Sequence, residues 1–200
     1  MRIMVIGATG TIGRAVVAAA EKQHEIVPVS HTQGKERVDL ADVASIRALF
    51  RRVGRVDAVM SVAGRAAFAP LEKLSDEDFD LSLRNKLMGQ INLVRYGVGN
   101  INDRGVFTLT SGILAKYPMV GSAAVSLVNA GLEGFVRAAA LELPRNIRIN
   151  IVSPGWVAET LQAMGRDPSA GTPAGIVAEA YMMSVEGQQT GMVIEATGGK

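Results

Sequence analysis

Runs of consecutive apolar residues alternate along the chain with segments whose apolar residues recur at helical spacing. The run at 2–6 ends at Gly7, and unbroken apolarity of this length is typical of a strand buried on both faces. From Thr11 the period changes, and Ile12 and Val16 fall on one face of a predicted helix. The chain therefore opens with a buried strand, a tight turn and a helix.

The same two patterns recur to the end of the chain. Further strands are predicted at 25–29, 56–64, 105–111, 147–153 and 191–196. Helices are predicted at 42–53, from Ser75 towards Tyr96, at 123–143 and near 176–185. Pro28 weakens the second strand because proline cannot donate to a ladder, and Pro144 ends the helix before it.

Regular alternation of strands and helices implies parallel strands joined by right-handed crossovers. We expect an α/β protein, a single-domain Rossmann-type doubly wound parallel sheet in three α/β/α layers, covering residues 1–200. In such sheets ligands bind outside the carboxyl ends of the strands, so the loops after strands are the places to look for function.

Composition narrows the function classes. The 200 residues are 48% hydrophobic and carry a net charge of +2, with no basic stripe of the kind that nucleic acid binding needs. No apolar run approaches the roughly 18 residues that span a bilayer. Cysteine is absent, and His24 and His31 have no metal-ligand spacing, so we expect no metal site. We expect a cytoplasmic protein that binds neither nucleic acid nor membrane.

The loop after the first strand carries a glycine triad, Gly7, Gly10 and Gly13. Such glycines let the chain turn tightly and approach a pyrophosphate, while the helix that follows offers free N–H groups to the phosphates. A triad alone also fits a simple turn, but its position between a buried strand and an amphipathic helix favours dinucleotide binding. The candidate contacts in this loop are Gly7, Thr9, Gly10, Thr11, Ile12 and Gly13.

Six motifs in order resemble the short-chain dehydrogenase/reductase family. Beside the glycine loop, the resemblance implies adenine contacts at Asp39 and Leu40, and a variant of the family's Asn-Asn-Ala-Gly at 61–64, with Ala63 and Gly64 near the cofactor. It further implies a catalytic serine at Ser111, a Pro154-Gly155 turn beside the nicotinamide, and a closing strand in 189–199. The chain is shorter than most of the family after Gly155, so we expect a reduced substrate-covering loop.

The resemblance breaks down where the family keeps its tyrosine and lysine. Those positions fall on Val125 and Asn129, and valine has no proton to give. The family asparagine on the preceding helix falls on Lys86, so lysine and asparagine have exchanged places; a shift of one residue would instead select Asn85. Asn129 is left as a candidate ribose contact. Lys86 beside Ser111 is a candidate catalytic group, with a solvated helix lysine as the alternative.

The end of the second strand bears on cofactor choice. An Asp or Glu there binds the ribose 2′-hydroxyl of NAD, whereas Ser30, His31 and Thr32 occupy it here, with Lys35 and Arg37 beyond. Hydroxyls and cations favour NADP(H) over NAD(H).

Two functions remain open. One is an NADP(H)-dependent oxidoreductase that transfers hydride between nicotinamide and a small carbonyl or alcohol substrate, with the proton handled by Ser111, Lys86, bound water or Tyr117. The other is a catalytically degenerate member that binds a dinucleotide as a sensor or regulator. The resemblance also implies a homodimer or homotetramer, formed through the helix at 123–143 and the long helix before it.

Overall fold

One parallel sheet organises the chain in the computed structural model, which describes residues 1–197. Its seven parallel strands lie in the order β3-β2-β1-β4-β5-β6-β7, and all but β3 overlap a strand that the alternating pattern predicts. The strands are β1 (Arg2–Ile6), β2 (Glu25–Ser30), β3 (Glu36–Arg37), β4 (Val56–Ser61), β5 (Ile101–Thr110), β6 (Arg148–Pro154) and β7 (Val193–Ala196). The end of the closing segment, 198–199, lies outside the described residues.

Helices cover both faces of this sheet. Those in the described chain are α1 (Thr11–Ala20), α2 (Val43–Val53), α3 (Asp76–Ser82), α4 (Gly89–Gly97), α5 (Ala123–Ala139), α6 (Ala158–Ala163) and α7 (Ala174–Glu186). Buried side chains of α2, α4 and α5 pack on one face, and those of α1 and α7 pack on the other. The three-layer α/β/α architecture is therefore confirmed. None of the helices in residues 1–197 is long and apolar enough to cross a membrane.

Local signals in the sequence explain several element boundaries. Asp42 caps α2 by accepting a hydrogen bond from the Ala44 amide, and Ser75 and Asp78 form a capping box at the start of α3. Pro28 is tolerated inside β2 because β3 pairs only with Val29 and Ser30, which leaves β2 an open edge at the proline.

Three features differ from the sequence expectation. The helix predicted from Ser75 is interrupted by a π-helical segment at Leu83–Met88, which inserts wider turns between α3 and α4. Helix α5 ends at Ala139 instead of Leu143, because the Leu141 amide donates to the carbonyl of Ala138, three residues back rather than four. The two-residue β3 and the six-residue α6 are too short to give a periodic signal.

The carboxyl ends of the central strands mark the place for a ligand. Strands β1 and β4 are neighbours, and the helices that follow β1 and β3 in the chain, α1 and α2, pack on opposite faces of the sheet. A crevice opens at such a switch point. The loops after β1, β2, β4, β5 and β6 all reach this edge.

Candidate active site

The glycine loop is shaped by close backbone contacts that exclude side chains. Gly7 has a φ of +89°, and a Cβ on it would lie 2.9 Å from the Cβ of Ala63. A Cβ on Gly13 would lie 2.0 Å from the carbonyl oxygen of Gly7, so α1 can pack against the turn only through glycine. The loop is thus built for close approach, as expected for a phosphate cradle.

The N-terminus of α1 is open to an anion. Gly10 occupies the N-cap position and supplies no side-chain hydrogen bond to the first amides of the helix. These N–H groups and the positive end of the helix dipole are therefore free to bind phosphate oxygens.

Two clefts meet beside this loop, and Val62, Ala63 and Gly64 line both. The glycine-loop cleft, about 470 Å³, is lined by the following predicted cofactor contacts: Gly7, Thr9, Gly10, Ser30, His31, Asp39, Leu40, Ala63 and Gly64. The lysine cleft, about 710 Å³, is lined by the predicted catalytic pair and by further predicted cofactor contacts, two of them shared with the first cleft: Ile12, Ala63, Gly64, Lys86, Ser111, Asn129, Pro154 and Gly155. Thr11, Gly13 and Thr32 line neither cleft.

The turn after β2 presents no free carboxylate. Ser30 donates its hydroxyl hydrogen to the Gln33 carbonyl and accepts from the Gln33 amide at 2.9 Å, so this hydroxyl is engaged within the turn. His31 and Lys35 are exposed. Glu36, the one carboxylate in 30–37, forms an ion pair with Arg52 at 3.2 Å. The charge that a ligand would meet here is positive or neutral.

Lys86 enters the lysine cleft from the π-helical segment. Its aliphatic stem packs on Gly64, where a Cβ would lie 3.0 Å from Lys86 Cγ. Its Nζ donates to the carbonyl oxygen of Ser111 at 3.2 Å. Burial lowers the pKa of Lys86 from 10.5 to about 8, because the charged ammonium loses solvation that one carbonyl does not replace.

Asn85 and Lys86 line different clefts, so the structure distinguishes which of the two residues lies beside Ser111. The Asn85 side-chain oxygen accepts from the Arg65 amide at 2.7 Å and lines the glycine-loop cleft. Lys86 lines the other cleft. The geometry therefore brings Lys86, rather than Asn85, next to Ser111.

The Ser111 hydroxyl is buried against a side chain that the sequence reasoning missed. Its Oγ donates to Glu133 Oε1 at 3.0 Å, and the other carboxylate oxygen of Glu133 pairs with Arg137 at 3.3 Å. Ser111 thus contacts Lys86 through its carbonyl and Glu133 through its hydroxyl. Glu133 lies on α5 four residues after Asn129, but nothing in the sequence indicates that it is a partner of Ser111.

The two substituted family positions both face the lysine cleft. Val125 presents an apolar surface. Asn129 donates weakly to the Gly112 carbonyl at 3.4 Å, and its Oδ1 is buried without a hydrogen-bond partner among the described residues. A buried acceptor without a donor is costly, so this atom fits a hydroxyl supplied by a ligand.

Neither nearby phenol reaches the lysine cleft. Tyr117 is 58% exposed, packs beside Lys116 and is not among the residues that line the cleft. Tyr181 is fully buried beneath Thr110, to which its hydroxyl is hydrogen-bonded, and burial raises its pKa. Lys86 is therefore the best-placed proton-carrying side chain.

An aromatic pair and an arginine form the mouth of the lysine cleft. The Phe68 and Trp156 rings meet edge to face, with centroids 6.3 Å apart. The Arg166 guanidinium lies 5.3 Å from the centroid of the Trp156 ring. The sequence reasoning passed over all three residues, although Trp156 follows the Pro154-Gly155 turn directly.

The chain resembles known oxidoreductases along almost its whole length. A family profile described as enoyl-(acyl carrier protein) reductase matches residues 7–188. The solved structure of the protein lin1944 from Listeria innocua is 40% identical, with a TM-score of 0.94 and 98% of each chain covered. A solved small-chain dehydrogenase in complex with NADPH is 24% identical, with a TM-score of 0.87. The match covers 100% of this chain and 97% of the dehydrogenase chain.

A curated relative has a more limited match. Hydroxynaphthalene reductase arp2 of Aspergillus fumigatus is 30% identical over 148 residues, which are 70% of this chain and 54% of that reductase. The chain thus matches about half the length of this relative. The profile match, together with the glycine loop and the doubly wound sheet, places the chain in the short-chain dehydrogenase/reductase family of oxidoreductases.

Proposed function

We propose that the protein is an NADP(H)-dependent oxidoreductase that transfers hydride between the nicotinamide and a small carbonyl or alcohol substrate, with Lys86 as its proton donor. The observation that carries the proposal is the position of Lys86, whose ammonium lies in a cleft that adjoins the glycine loop. Ser111 acts with it by holding the ammonium through its carbonyl.

The described residues fit a dinucleotide along the two joined clefts. Backbone amides at the start of α1 bind the phosphates, and Asp39 and Leu40 flank the adenine. The unpartnered Oδ1 of Asn129 accepts a ribose hydroxyl. Pro154 and Gly155 border the nicotinamide at the end of β6.

The turn after β2 supports NADP(H) over NAD(H). A 2′-phosphate would lie among His31, Thr32 and Lys35, and Glu36 is held by Arg52. A carboxylate aimed at the 2′-hydroxyl, which favours NAD, is absent from positions 30–32. The NADPH-bound dehydrogenase of the same fold adds support of a general kind.

Lys86 replaces the missing phenol as a general acid. When bound, NADP(H) supplies a hydride to the carbonyl carbon of the substrate. The Lys86 ammonium gives its proton to the carbonyl oxygen and becomes a neutral amine, which solvent reprotonates. A pKa of about 8 suits this role, because the group is mostly protonated near neutrality and still releases its proton readily.

A second candidate function is a dinucleotide-binding sensor or regulator without turnover. The substitutions at Val125 and Asn129 favour it, because the family's proton donor and its supporting lysine are both gone. The two candidates share cofactor binding and differ in whether Lys86 supports a reaction.

Cofactor preference can be measured through Trp156, the one tryptophan in the sequence, since NADPH and NADH absorb where tryptophan emits. We expect NADPH to quench Trp156 at lower concentration than NADH. His31→Asp should weaken NADPH binding by about tenfold or more through charge repulsion and leave NADH binding unchanged or tighter. Glu21→Gln, at an exposed position just after α1, serves as the surface control. Equal affinities in the parent protein would contradict the NADP(H) assignment.

The catalytic role of Lys86 can be tested with Lys86→Met. We expect ketone reduction to fall by about 10² to 10⁴-fold while NADPH binding changes little, because a positioned acid contributes that much. Ser111→Ala keeps the carbonyl that holds Lys86 and should have a smaller effect. Full turnover in Lys86→Met would rule out this lysine as the acid, and a parent protein that binds NADPH but reduces no carbonyl compound would favour the sensor.

The pH profile gives a separate reading of the same group. Reduction needs the ammonium, so the rate should be steady below pH 8 and fall as the pH rises through the Lys86 pKa of about 8. Oxidation of the alcohol needs the neutral amine and should rise over the same interval. Profiles with no change between pH 7 and 9 in either direction would contradict the assignment.

Burial of the Lys86 charge also predicts an effect on stability. Below pH 8, Lys86 is charged in both the folded and the unfolded state, but its ammonium loses solvation only in the folded state. Lys86→Met removes this cost, so it should raise the free energy of unfolding by about 2 kcal/mol at pH 7. Between the folded pKa of about 8 and the ordinary value of 10.5 the parent protein gains stability, and the difference should shrink. Denaturant unfolding at pH 7 and pH 10 measures both values. If the difference in unfolding free energy between Lys86→Met and the parent protein grew with pH, the Lys86 ammonium would not be desolvated in the folded state.

We further propose a homodimer or homotetramer that uses α4 and α5. Exposed apolar residues lie on or next to these helices, including Leu127 at 50% and Met88 at 37% exposure, beside small residues that allow close approach. Light scattering should give a mass of two or four chains at micromolar concentration, and Leu127→Lys should shift it towards one. A monomeric parent protein would contradict the proposal.

A further inference from the structure

We propose that the substrate of the lysine cleft carries a carboxylate in addition to its carbonyl group, and that Arg166 binds this carboxylate at the mouth of the cleft. The identity of the reacting carbonyl rests on the proposed function, whereas the anion site at Arg166 stands on its own geometry. The class of substrate is a carbonyl acid with an apolar body.

The charge of the lysine cleft favours an anionic ligand. Lys86 and Arg166 are its charged lining residues, and no carboxylate lies among the lining residues of the described chain. Two cations that line a mostly apolar cleft attract an anion to it. With Lys86 next to Ser111, Arg166 is the cation left for a second group on the ligand.

Arg166 lies over the Trp156 ring at the edge of the cleft and has no acidic partner among the described residues. Its guanidinium lies over the Trp156 ring at 5.3 Å, and within residues 1–197 it forms no ion pair. Its neighbour Asp167 is occupied by the Ser169 amide and hydroxyl, at 2.9 and 2.8 Å. A stacked guanidinium keeps its N–H edge available, and that edge matches the two oxygens of a carboxylate.

Glu159, the carboxylate on the preceding helix α6, is also engaged in hydrogen bonds. Glu159 accepts from the Ala174 amide with both oxygens, at 2.9 and 3.1 Å, which ties α6 to the start of α7. It therefore does not neutralise Arg166. The positive charge at the mouth is left for a ligand.

The wall between the two cations defines the body of the substrate. Phe68, Leu114, Val125, Trp156 and Met164 line it with aromatic and aliphatic surface. A ligand that spans from Lys86 to Arg166 must cover this surface, so a hydrocarbon ring or branched chain fits better than a polar one. The combination of carbonyl, apolar body and terminal carboxylate satisfies all three parts of the cleft.

Trp156 makes the anion site directly measurable, because it is the sole tryptophan and contacts Arg166. The probes are cyclohexanecarboxylate and its uncharged match, cyclohexanecarboxamide, titrated against the full chain at pH 7 without cofactor. We expect saturable changes in Trp156 fluorescence, with the carboxylate bound about tenfold more tightly than the amide, as a charged hydrogen-bonded pair would give. Arg166→Gln should reduce this preference to near onefold.

Arg51→Gln provides the matched control, since Arg51 is exposed on α2 and does not line the cleft; it should keep the preference of the parent protein. The proposal is overturned if the parent protein binds the two probes equally, if the carboxylate shows no saturable binding, or if Arg166→Gln keeps the preference. NADPH titration of the same samples separates the claims: intact NADPH binding without carboxylate preference removes the anion site alone, and carboxylate preference without NADPH binding removes the proposed function alone.

Discussion

The hydrogen bond from the Lys86 ammonium to the Ser111 carbonyl joins the π-helical segment to the end of β5 across the lysine cleft. It depends on a close approach at Gly64, where any side chain would press against the stem of Lys86. The bond gives one neutral acceptor to a charge that has lost its water, so the ammonium is held in place but not fully compensated. This imbalance lowers the pKa of Lys86, which suits the role of proton donor that we propose for it.

The proposed function gives Asn129 and Lys86 complementary roles in the lysine cleft. Asn129 on α5 keeps a buried acceptor that suits a ribose hydroxyl, and Lys86 on the opposite side supplies the cation. Val125 leaves apolar surface where the family resemblance places a phenol. The proposed cofactor site is shaped by glycines and a helix N-terminus, which do not depend on Val125 and Asn129, so the proposed cofactor binding does not require the proposed proton transfer.

Much of the fold follows from the sequence because buried strands, amphipathic helices and caps leave local signals. The glycine loop lies where the sequence predicts it, and Asp42 and Ser75 cap the helices that the pattern begins at these two residues. The π-helical segment is not predictable in this way, because a wider turn leaves the apolar spacing almost unchanged. The partnership of Ser111 with Glu133 and the stacking of Arg166 on Trp156 are also invisible, since each joins residues that tertiary packing alone brings together.

The most direct test of the account is the ionisation of Lys86 itself. An NMR titration of the lysine side chains, with the Lys86 signal assigned by its absence from Lys86→Met, reads the pKa without any substrate or turnover. The account predicts one lysine that titrates near pH 8, well below the ordinary value of 10.5. If every lysine in the folded protein titrates near its ordinary value, the Lys86 ammonium is solvated, and the proposal that it replaces the missing phenol is contradicted.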